Sequence, residues 1–99
     1  MKFRLEVSFE ARKEIEEIVE WYEDKQKGLG EKFLDTVILY EKYLSFNAHS
    51  HPKVRGEFRE LVIRKFPYII IYSIVNQTTV LLVGLVHTKR HPTKRKKRK

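Results

Sequence analysis

The hydrophobic pattern changes period twice along the chain. From Lys2 to Phe9, the residues Phe3, Leu5, Val7 and Phe9 alternate with Lys2, Arg4, Glu6 and Ser8, a period of two that predicts a strand with one buried face. Beyond Ser8, a candidate N-cap, Ala11, Ile15, Ile18, Val19 and Tyr22 recur at spacings of three and four, with Glu14, Glu16, Glu17, Glu20 and Glu23 outside the stripe. This is an amphipathic helix, and Trp21 beside Tyr22 reads as part of its packing face. It is expected to stop near Gly28 and Gly30, because glycine suits the left-handed residue that commonly closes a helix. A second helical pattern starts near Glu31, places Phe33, Leu34, Val37, Ile38, Tyr40 and Leu44 on a broad apolar face, and fades by Asn47. The turn between the two is so short that they must form an antiparallel hairpin.

The stretch NAHSHPKVRG, residues 47 to 56, is polar and contains Pro and Gly, which predicts a loop. Three strand-like segments come next, at 58–64, 68–75 and 79–87. Asn76, Gln77 and Thr78 make a break of hairpin length, so the last two segments should pair antiparallel. Ile69 to Ile71 and Val80 to Val83 are continuous apolar runs, expected where a strand is covered on both faces, or by core on one and a partner on the other. The resulting order, strand, two helices, three strands, predicts an α+β fold in which a helical hairpin packs on a mostly antiparallel sheet. One domain is expected over residues 1–93, with a disordered basic tail at 94–99.

Charge adds less than its total suggests. The formal charge is +8, yet Lys94, Arg95, Lys96, Lys97, Arg98 and Lys99 supply six of the 21 basic residues, and without them 15 basic face 13 acidic side chains. Attraction to a polyanion would therefore rest mainly on the tail, which can raise encounter rates without specifying a sequence. There is no cysteine, so a disulfide framework, a thiol nucleophile and a thiolate metal site are all excluded. No apolar run approaches the roughly 20 residues of a membrane span, and nothing resembles a secretory signal. A cytoplasmic protein without membrane association is expected. His49 and His51 stand in a polar loop without a neighbouring carboxylate, which reads as an exposed loop, so no metal or cofactor is expected.

Several residues taken in order carry a family likeness. The helix with Ala11, Glu14, Ile15 and Ile18 leads to Trp21 and Tyr22. GLGEKF runs from Gly28 to Phe33, then come Arg59 with Leu61, FPY at 66 to 68, Tyr72, and finally His87 with Arg90 and Pro92. Together they resemble the RelE/ParE superfamily of type II toxins, over essentially residues 1 to 92. The resemblance implies a β-α-α-β-β-β fold and a cognate antitoxin that wraps the toxin in a hetero-oligomer. An exposed sheet edge or helical groove would suit such a segment.

Two branches imply different chemistry. The RelE/YoeB-like members are ribosome-dependent mRNA endonucleases, and the ParE-like members poison DNA gyrase. RNA cleavage by the 2′-hydroxyl needs a base, positive charge at the phosphorane and an acid; the resemblance offers His87, Arg59 and Arg90 as candidate catalytic residues. RelE-type nucleases carry an arginine where this chain has Ile69, lysines where it has Glu60 and Val62, and a C-terminal tyrosine that has no counterpart after Tyr72. These departures favour the ParE-like branch, with target or nucleic-acid binding by Arg64, Lys89 and the basic residues 94–99. The nuclease remains one alternative and an inactive member that only binds a partner a second.

Overall fold

Ser8 decides where the first strand ends. In the computed structural model, which describes residues 2–90, its hydroxyl accepts the N–H of Ala11 at 3.0 Å and so caps a helix that begins at Phe9. The strand β1 (Arg4–Val7) is therefore shorter than the alternation predicts, and Phe9 is the first residue of α1 (Phe9–Lys25), 72% exposed rather than buried. The basic segment 94–99 lies outside the described residues, and of Arg90 only the backbone is described.

On α1 the expected stripe is buried at Ala11, Ile15 and Tyr22, with Ile18 and Val19 packed at its margin. Two residues correct the pattern. Trp21 is 55% exposed, with Lys25 over its indole and Tyr22 against its edge, so it is not part of the core. Glu14, expected to face solvent, is half-buried and turned to the sheet.

The two glycines expected to end α1 do something else. The helix stops at Lys25, and Gly28, with φ at +87°, caps the start of α2 (Leu29–Asn47). Gly30 lies inside α2, where a Cβ would stand 2.5 Å from the carbonyl oxygen of Val19. Its missing side chain thus lets the helices approach. The Glu23 carboxylate accepts the N–H groups of Gly28 at 2.9 Å and Gly30 at 3.0 Å, supplying partners that a helix start otherwise lacks.

The region expected to be loop contains a short 3₁₀ turn at Ala48–Ser50 and an additional strand, β2 (Lys53–Arg55). Three exposed residues give no alternation to read, because an edge strand needs no buried face. The strands β3 (Phe58–Val62), β4 (Tyr68–Asn76) and β5 (Thr79–His87) keep the predicted succession, with β3 ending two residues early. The five strands run in the order β1-β5-β4-β3-β2. Among the described residues only the β1–β5 pair is parallel, with Arg4 opposite Thr79.

Phe33, Val37 and Leu44 of α2 join the α1 stripe in one core with Ile70, Tyr72, Val80 and Leu82 of the central strands. At one end, Tyr22, Phe33, Phe66 and Tyr68 pack ring against ring with centroids 5.0 to 5.7 Å apart. Strand alternation puts Ile71 and Leu81 on the face away from this core, where both remain half-buried. Among the described residues no helix is long and apolar enough to cross a membrane.

Candidate functional site

His87 sits at the C-terminal end of β5, opposite Tyr68, and its ring meets that tyrosine edge to face at 5.2 Å. The register of β5 slips between the partners of Ile71 and Tyr72. Two residues beyond Val83, which the slip leaves without a partner, Glu14 of α1 accepts the N–H of Leu85 at 2.9 Å. This contact holds the end of the strand against the helix. Thr88 then donates to the Pro67 carbonyl at 2.9 Å, tying the chain after β5 to the turn before β4. Nδ1 of His87 accepts the N–H of Lys89 at 3.1 Å, which leaves Nε2 to carry the proton of the neutral ring. The ring borders a cavity of about 480 Å³ shared with Glu17, Trp21 and Tyr68.

The other candidate catalytic residues do not gather there. Arg59 pairs with Tyr72, four residues along β4 from Tyr68 and two strands across from β5. At about 3.3 Å per residue and 4.8 Å per strand, its backbone lies roughly 16 Å from that of His87. Its guanidinium donates to the His51 carbonyl, and its Nε is buried with no hydrogen-bond partner among the described residues. Glu57, the carboxylate nearest in sequence, pairs instead with Lys53 at 3.1 Å. Arg59 therefore anchors the segment before β2, and the expected convergence with His87 does not occur. Arg90 closes the 3₁₀ turn Thr88–Arg90. Ile69, at the arginine position of the nucleases, is 5% exposed between Val62 and Val86.

Arg64 and Lys89, expected to contact a target, are both exposed, and Arg64 belongs to a second concavity. This groove, about 750 Å³, runs between α2 and β3 and is lined by Leu39, Tyr43, Val62 and Arg64 among others. Along α2, Leu39, Tyr43 and Phe46 are 63%, 39% and 62% exposed at spacings of four and three, which puts them on one side of the helix. Sequence periodicity misses this second stripe, because broad apolar helices do not announce which side meets the core.

Near the groove, Tyr43 and Nε2 of His51 share a hydrogen bond of 2.8 Å, and His49 packs on Phe3. Each histidine of the pair is engaged by its own aromatic partner. Among the described residues no group of three metal-ligating side chains is assembled. The hydroxyl of Tyr72 donates to the Ala48 carbonyl at 2.8 Å. Burial pushes its pKa up to about 12, with nearby Arg59 pulling downward and Tyr43 adding to the rise.

Comparison with known proteins adds three findings. The family model described as "ParE toxin of type II toxin-antitoxin system, parDE" matches residues 5–92. No curated protein sequence matches. Among solved structures, a chain of the "Chromosomal ParDE TA system from P. aeruginosa" superposes with a TM-score of 0.72, covering 87% of this chain and 96% of that one at 15% identity. At that identity the likeness is one of fold.

Proposed function

Because the chain belongs to the ParE toxin family of type II toxin-antitoxin systems, we propose that it arrests growth by binding DNA gyrase, without cleaving RNA. The observation that carries this reading is the separation of Arg59 from His87. A phosphoryl-transfer site needs its base and its cations within reach of one phosphate, and roughly 16 Å of sheet parts these two. Burial of Ile69 in place of a nuclease arginine supports the same side.

A cognate antitoxin is the natural partner of such a toxin, and the pair acts in the cytoplasm. The groove between α2 and β3 suits the antitoxin's apolar segment: Leu39, Tyr43 and Val62 offer exposed apolar surface and Arg64 a charge at the rim. Arg64, Lys89 and the residues Lys94 to Lys99 belong to the target-facing surface.

The test uses purified full-length protein in two reactions. In the first, gyrase supercoils relaxed plasmid with ATP, and the protein is expected to inhibit it and trap cleaved DNA. In the second, ribosomes carry a defined mRNA, which is expected to stay intact. Cut mRNA with undisturbed gyrase would sink the proposal in favour of the endonuclease.

A further inference from the structure

The cavity beside His87 shares no residue with the groove between α2 and β3. It lies between one side of α1, which contributes Glu17, Trp21 and Tyr22, and the end of the sheet where β4 begins and β5 stops, which contributes Tyr68 and His87. Glu17 and Trp21 are four residues apart and so stand one turn apart on the same side of the helix. Long helical side chains lean toward the N-terminus, which lays the indole over the turn that carries Glu17. The walls are thus mainly ring surface with one carboxylate among them. Tyr22 is fixed by Phe33 and Phe66, and Tyr68 by Phe33 and His87, so these walls are in place before any ligand arrives. Trp21 differs from them: it is exposed and meets Tyr22 edge to face at 5.1 Å.

Charge gives the cavity a sign. The helix α1 carries seven acidic and three basic residues in a chain whose formal charge is +8. Glu17 is exposed and forms no ion pair among the described residues. The basic side chains of its own helix are engaged elsewhere, Arg12 with Glu41 of α2, Lys13 over the Phe9 ring and Lys25 over Trp21. Lys25 also shows what the indole accepts. Its ammonium stands 4.8 Å from the ring centroid, yet Lys25 is not part of the cavity wall.

We propose that this cavity receives the side chain of an arginine presented by a partner protein, its guanidinium stacked on Trp21 and hydrogen-bonded to the Glu17 carboxylate. A guanidinium fits on two counts. It is planar and weakly hydrated, so it stacks on ring faces, and its fork of N–H groups can bond a carboxylate at two points. An ammonium is a compact, strongly hydrated charge that would fill little of about 480 Å³. A nucleotide could also stack on the rings, but it would bring its phosphate against the acidic helix. The inference does not rest on the gyrase reading, because the site depends on the arginine and not on which partner carries it.

The experiment titrates the purified full-length protein with the blocked peptide acetyl-Gly-Arg-Gly-amide. Trp21 is the only tryptophan of the chain, so its emission follows the filling of the cavity. A saturable change is expected, with a dissociation constant of about 1 mM that weakens as salt is added. The same peptide with citrulline in place of arginine has nearly the same shape without the charge, and should bind about tenfold more weakly or less. In titration calorimetry, Glu17→Gln and Trp21→Leu should each weaken the arginine peptide by about threefold to tenfold. Glu16→Gln, on the same helix but outside the cavity wall, should leave it unchanged. All three side chains are exposed, and circular dichroism checks that each variant is folded. No saturable change, equal affinity for the citrulline peptide, unchanged affinity in either cavity variant, or tighter binding of guanosine monophosphate would each overturn the proposal.

Discussion

The carboxylate of Glu14 and the backbone N–H of Leu85 are 71 positions apart in the chain and 2.9 Å apart in space. Their bond joins α1 to β5 two residues beyond the register shift at Val83. Gly84, next to it, leaves room for the carboxylate: a Cβ there would lie 3.1 Å from Glu14 Oε1.

Glu14→Ala should therefore cost about 2 kcal/mol in urea unfolding, the value of a hydrogen bond to a charged acceptor. Gly84→Ala should cost about 1 kcal/mol by crowding the same oxygen. Because that cost needs the carboxylate, it should shrink in the double variant, giving a measurable coupling. Strict additivity would show that the two residues act separately.

Gly30→Ala tests the crossing of the helices. Helix propensity alone would favour alanine by about 1 kcal/mol. The atom in the way, however, is the Val19 carbonyl oxygen, and backbone cannot swing aside as a side chain can. A net loss of about 1 to 3 kcal/mol is expected, read as a lower denaturation midpoint. A stabilised variant would mean that the hairpin opens at no cost.

Tyr72 gives the fold an alkaline limit. The folded protein holds the phenol proton to about pH 12, whereas an unfolded tyrosine releases it near 10. Between those values the folded state binds more protons, so stability falls as pH rises, and the contribution is complete only below pH 10. Tyr72→Phe should lose about 1 to 2 kcal/mol at neutral pH by leaving the Ala48 carbonyl unpaired. It should also lose this tyrosine's part of the decline between pH 10 and 12, measured by urea midpoints across that range.

His87→Ala should keep its growth-arresting activity within about twofold when induced without antitoxin, since loss of a working general acid or base costs about a hundredfold or more. In the unmodified protein, nitrogen NMR should find the neutral ring protonated at Nε2, because Nδ1 accepts from Lys89. A proton on Nδ1 would contradict that bond.

How much of the molecule is legible in its sequence depends on what each residue faces. Where a segment has one buried face, as with Leu5 and Val7 or with Ala11, Ile15 and Tyr22, period alone places it correctly. The same logic errs at Phe9, which continues the alternation past the strand's end, and at Trp21, which neighbours the buried stripe of α1 without belonging to it. It cannot see β2, whose partners are backbone atoms. Gly30 stands out in the sequence but for the wrong task, because close approach and left-handed conformation leave the same mark there. For the site, the pattern puts His87 at its strand end, but its distance from Arg59 comes from strand register, which no local pattern contains. Glu14 does carry a signal: it lies next to Ile15 and three residues after Ala11, at the margin of the buried stripe.

The parallel pairing of β1 with β5 has a consequence for synthesis. Among the described residues, 4–7 find their only strand partner at 79–82, some 75 positions later. A chain made from its N-terminus at about 5 to 20 residues per second must hold that first strand unpaired until the last one is released. The sheet can close only once residues 79–82 have left the ribosome, so whatever needs the finished sheet begins when most of the described chain has been made.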